Sequence, residues 1–303
     1  MTYAICIPGR NRLRDDKKNI ENIVKTVPPM FQERGVECVC SVNWVHEPTG
    51  SDERFLKGLE QDGFITHWKW NTTHLGVGEV VFDTLLNGFA TPVQNLECAF
   101  FLAVDFDLDA SLPNSVISNL GRLVEPLKSS PPPDLVIGDY RPLLKNGRPN
   151  RIKRDLEGHV KHLIEYFFPD EWDKLKTVQR PRSEFFGIRR EFFFNLSTER
   201  LIWSVFDPTV IALIEAERNP RRTWERVDLG NFYEDPAPRD PQNERRIVRQ
   251  IHRTTYVIGN HWTIANPSLD ATELADKLSG VIEIETKSLN SVQGWLEVEV
   301  DGE

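Results

Sequence analysis

Four short apolar runs, each followed by a polar turn and then by helical periodicity, fill the first hundred residues, and this alternation restricts the fold more than any other feature. The runs are Tyr3 to Ile7, Glu37 to Val45, Phe64 to Trp70 and Phe100 to Val104. Each reads as a strand, and the fourth, five apolar residues in a row that are rich in aromatic and branched side chains and too short for a helix, has the pattern of a strand buried on both faces. After the first run, Ile20, Ile23, Val24, Val27 and Phe31 recur at helical spacing, and Pro28-Pro29 is expected to bend or end that helix early. Phe55, Leu56 and Leu59 mark a second helix; Val80, Val81, Leu85, Leu86 and Phe89 mark a third. Strands alternating with helical crossovers predict an α/β fold, a doubly wound and mostly parallel sheet.

The fourth run ends abruptly in Asp105, Asp107 and Asp109. In open α/β sheets the carboxyl ends of the strands are where ligands bind, so these acids would stand at the mouth of a crevice. Carboxylates this close repel one another unless a cation or hydrogen-bond donors sit between them, and Mg²⁺ or Mn²⁺ is the common solution. The plain alternative is a strand running out into a solvated acidic turn. An EF-hand loop is excluded, because counting from Asp105 places Ala110 where Gly is needed and Val116 where the bidentate Glu is needed.

Farther along, Val116, Leu120 and Leu123 predict a helix and Leu135 to Gly138 another buried strand. Lys145 to Arg154 is basic and turn-rich, which suggests a mobile loop. Val160, Leu163, Ile164 and Phe167 form a helical stripe, and Phe185 to Phe193 reads as a strand. A helix opens at Asp207-Pro208, with Pro in the first turn. Three prolines between Asn231 and Gln242 predict an extended excursion, Tyr256 to Ile258 a short strand, and Leu269 to Leu278 a helix. Val281 to Glu285 and Leu296 to Val300 alternate apolar and acidic residues as a hairpin does. The expected organisation is residues 1–230 as the main domain, with 231–303 as a small helix and hairpin extension that covers the sheet edge or forms a homodimer interface.

No apolar stretch approaches the roughly 18 residues of a membrane span, and the amino terminus lacks a signal-peptide pattern, so the expected location is cytoplasmic with no transmembrane segment. Cys6, Cys38, Cys40 and Cys98 lie in or beside strand-like runs and read as buried free thiols. Trp44, Trp68 and Trp70 read as core. The net charge of -9 argues against nucleic acid as a partner, although residues 141–253 hold 23 Lys and Arg against 18 Asp and Glu, a local excess suited to anionic groups.

Four turns, in order, resemble the donor side of GT-A-fold glycosyltransferases, family 2-like or mannosylglycerate-synthase-like. Ile7-Pro8-Gly9-Arg10-Asn11-Arg12 resembles the turn after the family's first strand, and Glu47-Pro48-Thr49-Gly50-Ser51-Asp52 its acidic second turn. Asn71 to Gly78 with Asn87-Gly88 resembles the third segment, and Leu102 to Asp107 the DxD strand end. Phe185 to Phe193 is similar to the acceptor-side strand. The resemblance covers residues 3 to 215 and implies a sheet of GT-A type and a metal-dependent transfer of sugar from a UDP- or GDP-sugar to a small-molecule or glycan acceptor.

The resemblance assigns Asp107 to the metal, Mn²⁺ or Mg²⁺, with Asp105 on the donor ribose or a metal-bound water. A late histidine, His252 or His261, is the further ligand. Pro8, Arg10, Asn11, Glu47 and Gly76 line the donor pocket, Asp207 and Glu184 are the candidates for catalytic base, and Arg180, Arg182 and Arg189 hold an anionic acceptor. Two other readings stay open: a GT-A-like domain that binds a nucleotide or partner without turnover, and a haloacid-dehalogenase-like phosphatase with Asp105 as nucleophile.

Overall fold

A computed structural model of the chain describes residues 2–10, 16–71, 77–91, 96–104, 112–197, 208–234 and 241–297. Seven strands form one mixed sheet: β1 (Thr2–Arg10), β2 (Glu37–Val45), β3 (His67–Asn71), β4 (Leu96–Leu102), β5 (Leu135–Leu144), β6 (Phe185–Arg189) and β7 (Trp224–Glu234), in the order β3-β2-β1-β4-β6-β5-β7. β3, β2, β1 and β4 pair in parallel, and β6 runs antiparallel to both β4 and β5. The expected α/β, mostly parallel sheet is therefore present.

Side chains alternate across each strand, and the two faces take different helices. Tyr3, Ile5 and Ile7 share one buried cluster with Ile20, Ile23, Val27 and Phe31 of α1 (Asp16–Gln32). On the other face lies α3 (Val77–Phe89), whose Gly88 comes so close to β1 that a Cβ there would stand 2.1 Å from the Cys6 sulfur. The prolines do not cut α1 short. It continues through Pro28 and Pro29 to Gln32, because both fall in its last turns, where burying Val27 and Phe31 offsets the lost backbone bonds. α2 (Gly50–Gln61) and a short α4 (Val116–Asn119) complete this half with two 3₁₀ turns, Leu120–Val124 and Pro126–Lys128.

The chain separates into two compact units, residues 1–140 with 182–232 and residues 141–181 with 233–303. The first holds most of the sheet together with α7 (Arg190–Ser197) and α8 (Pro208–Arg218). α8 opens at Pro208 as expected. The strand expected through Phe193 stops at Arg189, and Phe192, Phe193 and Leu196 fall at helical spacing and are buried on α7.

The second unit is built on α5 (Arg151–Phe167), α6 (Pro169–Leu175), α9 (Pro241–Ala265) and α10 (Ala271–Glu297). The turn-rich segment before α5 is a tight turn, with Gly147 at φ +80° and Asn150 capping the helix by accepting from the Lys153 N–H at 3.2 Å. The expected strand at Tyr256 to Ile258 lies inside α9, where Ile247, Ile251, Thr254, Ile258 and His261 are buried at spacings of three and four residues. The expected hairpin is not formed among the described residues: α10 continues through Val281 to Glu297, and residues 298–303 lie outside those described. Residues 235–240 of the expected extended excursion also lie outside the described residues, and its flanks belong to β7 and α9. Among the described residues no helix is long and apolar enough to cross a membrane.

Candidate functional site at the carboxyl edge of the sheet

The strand order reverses direction at β1, which has β2 on one side and β4 on the other, with α1 and α3 on opposite faces. Such a reversal leaves a crevice outside the carboxyl ends of the two central strands. The residues at that edge are Pro8 to Arg10 of β1, the turn after Val45 of β2, and Ala103-Val104 after β4. The sequence runs on from Val104 directly into Asp105.

Three asparagines tie this edge together. Asn19 of α1 is buried and donates to the Val104 carbonyl at 2.9 Å, which supports the chain where β4 has ended. Asn87 donates to the Val42 carbonyl at 3.2 Å, and Asn43 to the Thr84 hydroxyl at 3.3 Å. Each such bond, if lost in the interior, would leave a polar group unsatisfied at about 1–3 kcal/mol.

Pro8 is buried and pairs with Asn43 in the β1–β2 register. Arg10 closes β1 opposite Val45; its side chain lies outside the described residues, as do Asn11, Gly76, Asp105, Asp107 and Asp207. Glu47 is exposed just beyond β2. Its neighbour His46 has φ +94°, the left-handed region that a residue with a Cβ occupies only when its surroundings impose it, and such positions gather at ligand sites. Downstream, Thr49 and Asp52 form a capping box on α2, with Lys17 on Asp52 at 2.6 Å. Part of the turn that resembles a donor loop is thus a helix start.

Glu184 stands at the same edge. Its carbonyl accepts from the Ala103 N–H at 3.1 Å, and its carboxylate receives the hydroxyl of buried Tyr140. The corner that carries it is fixed from two sides. Ser183 donates to the Gly138 carbonyl at 2.5 Å, and Thr209 of α8 donates to the Ser183 carbonyl at 3.1 Å. Thr209 lies two residues after Asp207 in the sequence.

Arg189 pairs with Asp134 at 3.5 Å and sits beside Cys98 in the antiparallel register, at the opposite edge of the sheet. Arg182 adjoins Ser183 and is half-buried. In the second unit Arg180 is buried with Glu157 at 3.2 Å. His252 and His261 are both on α9, nine residues apart. That separation is ~13 Å along the axis and half a turn around it, so the two do not share one ion. His252 is exposed and paired with Glu285, and His261 is buried beside the Phe168 ring. Among the described residues no group of three or more His, Cys, Asp or Glu is arranged to hold a metal.

No family model matches this chain. A search of curated proteins gives no match either.

Among the residues of the site that escaped the sequence reading are Asn19 and Tyr140. Asn19 carried a signal, being a polar residue on the apolar stripe of α1 next to Ile20 and Ile23. Tyr140 carried none beyond its place at the end of an apolar run.

Proposed function

We propose that the chain is a glycosyltransferase that moves a sugar from a nucleoside diphosphate sugar to an acceptor hydroxyl. One arrangement carries the reading: the crevice at the β1–β4 reversal, with the Asp105, Asp107, Asp109 run continuing from β4 and the Glu184 carboxylate fixed at the same edge. A sheet parallel except for one strand agrees with the GT-A resemblance.

In the transfer, the bond from the sugar to the diphosphate oxygen breaks as the acceptor oxygen attacks. Asp105 and Asp107 carry the hard oxygen donors that Mg²⁺ or Mn²⁺ takes, and such a cation, when bound, stabilises the charge that develops on the leaving diphosphate. Pro8 and Glu47 border the donor. Glu184 accepts the proton of the attacking hydroxyl, and the Tyr140 hydrogen bond orients its carboxylate.

Differential scanning fluorimetry of the wild type and Asp107→Ala, with UDP, GDP and their sugar conjugates, with and without Mn²⁺, tests this. The expected result is a rise in Tm that needs both nucleotide and Mn²⁺ and disappears in the variant. No response to any nucleotide, from a folded protein, overturns the reading. Once the donor is known, Glu184→Gln is expected to keep nucleotide binding and to lose ~10²-fold or more in turnover.

A further inference from the structure

A second cavity, of about 450 Å³, opens at the amino-terminal edge of the parallel strands, across the sheet from the crevice. Its floor is Asp134, a buried carboxylate at the start of β5. Arg222 and Arg189 lie on Asp134 at 3.2 Å and 3.5 Å, and the Thr223 N–H donates to it at 3.1 Å. Arg222 is committed further, to Glu191 at 3.1 Å and over the ring of Phe192. These bonds satisfy the acids of the cavity and hold two guanidinium groups in place.

Arg221 is different. Its backbone N–H donates to the Asn219 side chain, which sets the turn, but among the described residues its guanidinium meets no carboxylate. Three arginines and two carboxylates line the cavity, so it carries an excess positive charge, with one fork of donors unused among the described residues. The Thr223 hydroxyl adds a further polar group, and Pro131 and Pro132 supply a flat apolar wall.

We propose that this cavity binds a small organic oxyanion, a phosphoryl or carboxylate group on a flat apolar body, held by Arg221 and Arg189 with the body against Pro131 and Pro132. A planar fork matches two oxygens of such a group at once, which a lysine cannot do. The inference does not depend on the glycosyltransferase reading, because the two sites lie on opposite edges of the sheet and share no residue.

The test is isothermal titration of the full chain with phenyl phosphate, benzoate and inorganic phosphate at constant ionic strength. The expected result is saturation at one site by phenyl phosphate or benzoate, with inorganic phosphate weaker; which aromatic ligand prevails names the anion. Arg221→Gln is expected to weaken binding by about tenfold or more without changing the thermal unfolding of the chain, since the side chain is exposed. Arg54→Gln, an exposed site on α2, is expected to bind as the wild type does. No saturation below about 10 mM of any of the three anions overturns the proposal. So does equal binding by wild type and Arg221→Gln, or a loss of binding in Asp107→Ala alone, which would locate the anion at the other edge.

Discussion

Asp52 shows how a residue that reads as part of a ligand loop is used by the fold itself. Its carboxylate has no solvent exposure; burial alone would raise its pKa, but the bonds from Lys17 and from the Thr49 hydroxyl and N–H outweigh this and hold it below 3.8. The unfolded chain thus takes up a proton at higher pH than the folded one, so this stability is present above about pH 4 and is lost as pH falls through the folded value. Asp52→Asn is expected to cost about 1–3 kcal/mol in urea unfolding at pH 7, a difference from wild type that shrinks below pH 4. The cysteines shift the other way. Burial pushes Cys6 and Cys38 up to about 12, and Cys40 and Cys98 are raised too, so the folded state keeps all four thiols protonated where the unfolded chain would ionise. The thiols' contribution to stability is therefore expected to be level below about pH 9 and to fall from there toward pH 12. A thiol reagent at pH 8 is expected to label Cys6, Cys40 and Cys98 of the native protein far more slowly than the half-buried Cys38 and to count four thiols after unfolding; rapid labelling of all four in the native chain contradicts the burial.

At the scale of elements, the first half of the chain was legible because each of its runs is buried on a single repeating pattern. The strands at Tyr3, Glu37 and Phe100 and the stripe of α1 follow from residue type and period alone, and the crevice follows from their order. The second half was not, because short apolar groups such as Tyr256 to Ile258 look like strands until the helical period across the 25 residues of α9 is seen. The site was legible only as positions. That Glu184 receives the Tyr140 hydroxyl depends on β6 running antiparallel between β4 and β5, a pairing that no local pattern encodes. Motif matches were also double-edged: Asn87-Gly88 resembles a donor segment, yet Asn87 bonds the Val42 carbonyl and Gly88 admits the sheet. In the middle of a helix, Ala normally improves on Gly by about 1 kcal/mol. Here the added Cβ meets the Cys6 sulfur and, at 3.4 Å, the Ala4 Cβ, so Gly88→Ala is expected to destabilise by about 1–3 kcal/mol. Cys6→Ala should relieve much of that cost in a double-mutant cycle; simple additivity of the two changes would place the clash elsewhere.

For the whole molecule, the division into units changes what a shortened chain should do. Residues 231–303 look like an extension in the sequence, but the second unit is assembled from two separate stretches, with α5 from the middle of the chain packed on α9 and α10. Leu156 of α5 clusters with Ile247 and Ile251, and Phe167 lies against Trp262. His159 is bonded to the Ser288 and Thr255 hydroxyls at 2.8 Å and 3.0 Å, so α5 also carries a buried polar group whose partners come from the later stretch. A chain ending at residue 230 keeps α5 and removes those partners. Exposing a buried Leu or Phe costs about 1.5–3 kcal/mol each, and an orphaned buried polar group adds to that, whereas a domain holds only about 5–15 kcal/mol in all. The truncated chain is accordingly expected to bind a hydrophobic dye strongly and to melt well below the full chain, with the helical loss visible by circular dichroism. If it melts as the full chain does and binds no dye, then α5 does not need α9 and α10, and the later residues are an appendage after all.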